Sequence, residues 1–337
     1  MLKVHFLNVG HGDCTIIEHP SGRLTMIDIN NSQNYDEDTF GELVAEEREK
    51  MHRRALAAST ILGGGGLLGS ALVARPSIGM LTELLLAVDR AKNEITDPVD
   101  FMLRNYPNRR LWRYVNTHPD LDHMRGIKRL HEKVGFENFW DTANTKPTPN
   151  FRSDTDKDDW NCYQRLRSGG AGTIRHLFTR GDRYFAFNMD EYGLPGGDNI
   201  EILSPTSAIV NHANSNQKFN NSSIVLRVSH ANHSILLPGD VEETVWKELQ
   251  RVYGILLKST FLKASHHGRD TGYHLPALRL IQPAAVVVSV GRKPTTDAHQ
   301  KYCAQCGNVY STRYYGNLTL EIQDNGNCRW IAQRNGS

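Results

Sequence analysis

Three observations predict an α/β layered fold for this chain. Apolar runs of alternating pattern interleave with runs of helical period along most of its length. Its 337 residues suit one large α/β domain better than a minimal one. Three of the apolar runs end directly in Asp/His clusters, where open α/β sheets place their sites.

Composition narrows the class further. Hydrophobic residues make up 39% and charged residues 23%, with five Trp, eleven Phe and twelve Tyr, so the chain can bury a sizeable core and wholesale disorder is excluded. Lys+Arg (39) nearly balances Asp+Glu (37), which excludes a strongly basic nucleic-acid coat and leaves any polyanion site as a local patch. Cys14, Cys162, Cys303, Cys306 and Cys328 are too sparse for a disulfide framework, and the opening Met1-Leu2-Lys3-Val4-His5-Phe6 lacks the pattern of a signal peptide. Together these read as a cytoplasmic, reduced protein. Fifteen histidines call for a chemical explanation.

The elements follow in order. The opening reads as strands at 3–8, 14–18 and 23–29, separated by turns at Gly10-His11-Gly12 and Pro20-Ser21-Gly22, with Asp28 at the end of the third. Residues 31–95 change character: 36–56 and 77–92 have helical period, and 55–74 carry no charge. An uncharged run of that length is nominally a membrane span, but Gly63, Gly64, Gly65, Gly66 and Gly69 break its helix propensity, so no stable span is expected. The segment reads as a helical insertion or lid within a single 1–337 domain, with the glycines as hinge or loop tip and a surface available to a protein partner. Its ten acidic and seven basic residues exclude a basic arm. Beyond 98 the pattern gives strands at 111–116 and 137–140 around a helix at 124–133, then a long polar loop at 144–159. Strands at 200–203, 223–229, 234–237, 260–264 and 284–290, helices at 241–252 and 297–304, and a hairpin from 317–323 and 328–333 complete the chain.

The chemistry sits at the strand ends. After the 111–116 strand comes Asn116-Thr117-His118-Pro119-Asp120-Leu121-Asp122-His123, four potential metal ligands within six residues. Imidazole and carboxylate together suit Zn²⁺, Mn²⁺ or Fe²⁺. Gly239-Asp240 follows a second apolar strand, and His266-His267-Gly268 a third. Adjacent side chains on a strand point oppositely, so one of His266 and His267 is expected to be a ligand and the other to support it.

In this arrangement the motifs resemble the metallo-β-lactamase superfamily, and most closely the C-terminal hydrolase domain of ComEC-type DNA-uptake proteins. The likeness also takes in Phe6-Leu7-Asn8-Val9-Gly10-His11-Gly12-Asp13, Met26-Ile27-Asp28, Asn221-Ser222-Ser223-Ile224-Val225-Leu226, Ser289-Val290-Gly291, His299 and Tyr310-Ser311-Thr312-Arg313 with Gly316. It covers nearly the whole chain apart from 31–95 and parts of 140–195. The resemblance implies an αββα sandwich holding two divalent ions, Zn²⁺ or Mn²⁺, with Mg²⁺ a further option. One ion would draw on His118, Asp120 and a bridging Asp240, with weak help from Asn221. The other would draw on Asp122, His123, Asp240 and one of His266 or His267. Asp120, where the superfamily usually has His, and Asn220-Asn221, where it has its third-motif His, make the first site richer in oxygen and shift preference toward Mn²⁺ or Mg²⁺. By the same resemblance a hydroxide shared by the ions attacks phosphorus or a carbonyl carbon, Asp122 both binds metal and orients that hydroxide, and His299 donates to a substrate oxygen. Asp28 would orient a metal ligand, and His11 would touch substrate or serve only its turn.

The reading is a dinuclear metal-dependent hydrolase, a phosphodiesterase or nuclease acting on nucleic acid or another phosphodiester. The alternatives are a hydrolase of a cyclic nucleotide, lactone or thioester, and a binding module with a degraded site. Eight Lys/Arg between 104 and 133 offer either a basic rim for a polyanion or an ordinary solvated helix face. Cys303 and Cys306, with His299 and Cys328, fit a structural zinc site or simply reduced thiols.

Overall fold

The computed structural model describes residues 1–31, 82, 95–170, 172–291 and 296–334. The insertion expected at 31–95, with its uncharged run and its glycines, falls almost wholly outside them. The chain divides into two compact units, Met1–Gln33 with Thr96–Ser337, and Asn34–Ile95. The elements below all belong to the first.

Strands β1 (Leu2–Phe6), β2 (Thr15–Glu18) and β3 (Leu24–Ile27) form an antiparallel meander, and β4 (Leu111–Val115), β5 (Phe136–Trp140) and β6 (Ile174–His176) extend it in parallel. The closing hairpin, β13 (Leu318–Ile322) and β14 (Cys328–Ala332), joins the other side of β1, giving eight strands in the order β14-β13-β1-β2-β3-β4-β5-β6. The second sheet holds β7 (Ile200–Ser204), β8 (Val225–His230), β9 (His233–Leu237), β10 (Phe261–Lys263), β11 (Ala285–Val288) and β12 (Val309–Ser311), in the order β12-β11-β10-β9-β8-β7.

Side-chain alternation along the strands builds three apolar layers. Ile17 and Ile27 of the first sheet meet Leu226, Ile235, Leu237 and Phe261 of the second between the sheets. Their sequence neighbours Ile16 and Met26 face the other way. They pack with Val99 and Met102 of α1 (Pro98–Asn105), Ile127 and Leu130 of α2 (Ile127–Lys133), and Trp160 and Tyr163 of α3 (Asp154–Arg167). Leu236, Leu262 and Val286 likewise face Val245, Trp246 and Leu249 of α5 (Glu243–Tyr253) and Leu278 of α6 (Leu275–Ile281). Helix, sheet, sheet, helix: the architecture is the αββα sandwich expected from the sequence. Helix α4 (Ser207–Asn216) precedes β8, and the short α7 (His299–Cys303) and α8 (Thr312–Tyr315) flank β12.

The long loop expected at 144–159 ends early, because α3 begins at Asp154. Ser153 caps it by accepting the Asp156 N–H at 3.1 Å, and Asp154 and Asp156 occupy its first turn, where acidic residues favour the helix dipole. Its buried face carries two acids beside its apolar residues: Asp156 pairs with Arg125 at 2.8 Å, and Asp159 accepts from the backbone N–H groups of Gly126 and Lys128. That side chain thereby satisfies the N-terminus of α2, just beyond the His118–His123 loop. Among the described residues no helix is long and apolar enough to cross a membrane.

Candidate metal centre

Four loops, leaving the C-terminal ends of β3, β4, β9 and β10, converge. Asp28, at the end of β3, holds a left-handed backbone (φ 56). Its carboxylate accepts from the Thr117 N–H and hydroxyl, both at 2.8 Å, and from His123 Nδ1 at 2.8 Å. With Nδ1–H committed to Asp28, His123 turns Nε2 toward Asp240 Oδ2, 3.2 Å away. The Thr117 hydroxyl spends its proton on Asp28, so it can only accept at 3.1 Å from His118 Nδ1. That leaves His118 Nε2 a bare lone pair, fully buried and without a hydrogen-bond partner.

Asp240 is delivered by Gly239, whose φ of +59 and close neighbours leave no room for a side chain: a Cβ there would lie 2.9 Å from Ser223 Cβ and 3.2 Å from Thr117 Cβ. Asp240 Oδ2 also lies 3.3 Å from His267 Nε2, while Oδ1 has no partner. The His266-His267 pair resolves its crowding by strain. Both residues are left-handed (φ 50 and 55), at about 1–2 kcal/mol each. The turn is pinned by His266 N–H to the Gly239 carbonyl at 3.2 Å and Ser265 Oγ to the Val241 carbonyl at 2.6 Å. His267 is buried, with Nε2 3.4 Å from Asp122 Oδ2. His266 stays half-buried, 4.0 Å from Asp240, with Nδ1 2.7 Å from the Thr271 hydroxyl.

A fourth residue completes the group. Asp13, His123, Asp240 and His267 each offer an atom within 4.8 Å of the others, and all four are buried. Sequence reasoning read Asp13 only as part of the opening motif. Its Oδ2 accepts from Lys263 Nζ at 2.6 Å and lies 3.7 Å from His267 Nδ1. The signal was Lys263 itself, a charged residue at the end of a wholly buried strand that needed an acid to face.

The donor set fits cations. His118 Nε2, both His267 nitrogens, Asp240 Oδ1 and Asp13 Oδ1 are buried with no hydrogen-bond partner, an expensive state unless they ligate. Charge agrees: against burial, Asp240 above all raises His267 to about 10 and lifts His123 well above the ordinary histidine range. The carboxylates hold more negative charge than Lys263 offsets, so the centre favours positive charge. Asp122, Asp120 and His118 extend it, with His118 Nε2 3.8 Å from Asp120 Oδ2.

Other expected residues lie around this cluster. Asn221 is buried, and its Oδ1 accepts from the Glu242 N–H at 3.1 Å, while Asn220 Nδ2 lies 3.4 Å from His266 Nε2. His11 stands at the rim, its Nε2 4.0 Å from Asp122 Oδ2 and 3.1 Å from Arg269 Nη2. Burial, with the nearby His267, pushes its pKa down to about 4. His299 is not among the converging four, but the Ala298 N–H donates to the Gly268 carbonyl at 2.8 Å, which ties its segment to the His266-His267 turn. Its ring lies 6.4 Å from that of Tyr314. Cys303 and Cys328 are exposed, Cys306 Sγ faces the Pro283 and Asn308 carbonyls, and among the described residues these thiols form no metal group.

The expected basic rim is largely spoken for. Arg109 pairs with Glu18, Arg113 with Asp198, Arg125 with Asp156, Lys128 with Asp158, and Arg129 with Asp97 and Asp100. The cations next to the centre are others: Lys263 on Asp13, Lys146 on Asp120 and Arg269 beside His11.

No family model matches the chain. Among curated proteins it is similar to YcaI of Escherichia coli (strain K12), 28% identical over 117 residues that span 33% of this chain and 16% of that protein. Among solved structures it is similar to Igni18, a metallo hydrolase from the hyperthermophilic archaeon Ignicoccus hospitalis, at a TM-score of 0.43 and 11% identity with 98% of each chain covered. It is also similar to CmlA, a diiron β-hydroxylase from Streptomyces venezuelae, at a TM-score of 0.45 and 12% identity, covering 95% of this chain and 54% of that one. These likenesses are remote, and the centre rests on this chain's own side chains.

Proposed function

We propose that the protein is a dinuclear metal-dependent hydrolase acting on a phosphodiester, with nucleic acid as the substrate class. The observation that carries the metal reading is the convergence of buried, unpartnered ligand atoms on His118, His267, Asp240 and Asp13. His118, Asp120 and Asp240 would hold one cation, and Asp122, His123, Asp240 and His267, with Asp13 alongside, the other. Bound there, Mn²⁺ or Zn²⁺ would acidify water for attack and neutralise charge on the substrate oxygen. The chain's own parts are then assigned. Asp28 fixes the His123 tautomer, the strained His266-His267 turn holds His267 against Asp122, and Asp122 orients the attacking water. His299, beside that turn, donates to the departing oxygen. The phosphodiester is favoured over a lactone or thioester by the ComEC-like motifs and by the cationic side chains at the rim. A cytoplasmic location belongs to the same reading.

Turnover of bis-p-nitrophenyl phosphate with added Mn²⁺ tests it. Activity that is lost with EDTA and restored by Mn²⁺ is expected. A protein that takes up metal yet cleaves only p-nitrophenyl acetate or a thioester would move the assignment to a carbonyl hydrolase.

A further inference from the structure

We infer that Lys146 and Arg269 form a two-armed clamp for the anionic phosphate of the substrate, one arm beside Asp120 and the other beside His11; this rests on the phosphodiesterase reading. Neither residue belongs to the metal motifs.

Lys146 is carried by the loop between β5 and α3, and that loop is held still. The Thr145 N–H donates to Asn214 Oδ1 at 3.0 Å, Asn214 Nδ2 donates to the Ala143 carbonyl at 3.1 Å, and Arg167 Nη2 donates to the Asn144 carbonyl at 2.6 Å. Pro147 follows directly and fixes its own φ. From this support the Lys146 ammonium reaches back over the Phe219 ring, 5.6 Å from its centroid, and donates to Asp120 Oδ1. The other oxygen of that carboxylate faces His118 Nε2. Asp120 therefore divides its oxygens, one toward the ligand cluster and one toward the lysine. The Lys146 side chain is 20% exposed.

Arg269 comes from the opposite wall, directly after His266-His267-Gly268. Its Nη2 lies 3.1 Å from His11 Nε2. A guanidinium has only donors, so in this contact the His11 nitrogen must accept. Arg269 Nε is buried and has no hydrogen-bond partner. Among the described residues no carboxylate pairs with it, in contrast to the arginines at 109, 113, 125 and 129. A guanidinium with an idle Nε–H beside His11, one imidazole away from Asp122, is an unused half of a fork that fits phosphate oxygens. A carbonyl substrate would give neither arm a charge to meet. The two arms thus select an anion at the same place where the carboxylates would hold the metals.

Isothermal calorimetry of the Mn²⁺-loaded full chain, with inorganic phosphate as the probe and elemental analysis of every variant, tests the clamp. Lys146→Ala and Arg269→Ala should each weaken phosphate binding about 10-fold at unchanged metal content, the size of one partly exposed charge-assisted contact. Lys146→Arg should retain most of the affinity, whereas Arg269→Lys, lacking the fork, should not. Phosphate affinity within about two-fold of wild type in both alanine variants, loss of metal in either, or no phosphate binding by the wild type would overturn the proposal. The two readings fail separately. Phosphate held through these residues by a protein inert toward bis-p-nitrophenyl phosphate removes the phosphodiesterase, and robust turnover that neither substitution affects removes the clamp.

Discussion

Lys263 offers the perturbation whose cost can be worked most directly. Its Nζ donates to Asp13 Oδ2 at 2.6 Å, with the two side chains 5% and 3% exposed. Each charge has left water for the other, so Lys263→Met strands a carboxylate in the interior. Removing one partner of such a pair costs about 3–5 kcal/mol, whereas removing both is close to neutral. The double variant Asp13→Asn/Lys263→Met should therefore be more stable than Lys263→Met alone by about 2 kcal/mol or more. A second effect follows from position. Asp13 is one of the four converging groups, so a divalent cation would compensate the stranded charge, and Mn²⁺ should stabilise Lys263→Met more than it stabilises wild type. Urea unfolding read by tryptophan fluorescence, in EDTA and in Mn²⁺, measures both. All five tryptophans lie in the unit formed by Met1–Gln33 and Thr96–Ser337, so the signal reports that unit alone. A single variant within about 1 kcal/mol of wild type in EDTA, or a double variant as unstable as the sum of the singles, would refute the reasoning.

Four other outcomes are expected. Protein dialysed against Mn²⁺ should retain about two ions per chain by elemental analysis, and Asp240→Asn should lose metal and activity together while keeping its far-UV spectrum. His299→Ala should keep its metals and its melting temperature but turn over roughly 10²-fold more slowly; near-normal turnover takes His299 out of the reaction. Gly239→Ala should abolish metal uptake, because its new methyl meets Ser223 Cβ at 2.9 Å and must displace the Asp240 loop; full uptake would show that the loop gives way freely. Burial holds His19 at about 3 and His5 at about 4, below the ordinary 6.5, so the unfolded chain takes up protons there first. Their contribution is complete above about pH 6.5 and falls as pH drops, by about 2 kcal/mol each at pH 5, so His19→Gln should flatten the pH dependence of the urea midpoint in that window.

What the sequence made legible was local. His118, Asp120, Asp122 and His123 fall within six residues behind an apolar strand, and Asp240 and the His266-His267 pair each follow another, so strand-end position alone pointed to them. The layered fold was legible for the same reason, since alternation along each strand declares which faces are covered. What stayed hidden depended on distant partners. Asp13 and Lys263 are 250 residues apart, and neither spacing nor period links them. Arg113 reads as part of a basic patch until Asp198 is seen against it. The buried face of α3 carries Asp156 and Asp159, which look like a solvated stretch unless their partners Arg125 and the backbone at Gly126 are known.

The centre is assembled from both sheets, and this gives it a schedule as well as a shape. Asp28, His118 and His123 follow strands of the eight-stranded sheet, whereas Asp240 and His267 follow strands of the six-stranded one. His123 and Asp240 are 117 residues apart. At a synthesis rate of about 5–20 residues per second, the imidazole leaves the ribosome roughly 6–25 s before its carboxylate partner exists. A nascent chain at that stage owns half a cage, and the strained His266-His267 turn that completes it is made later still. On the proposed reading, cation capture is thus a late event in the life of the chain, and strands β1 to β6 are made before it can help them, whereas β13 and β14 of the same sheet come after the last ligand.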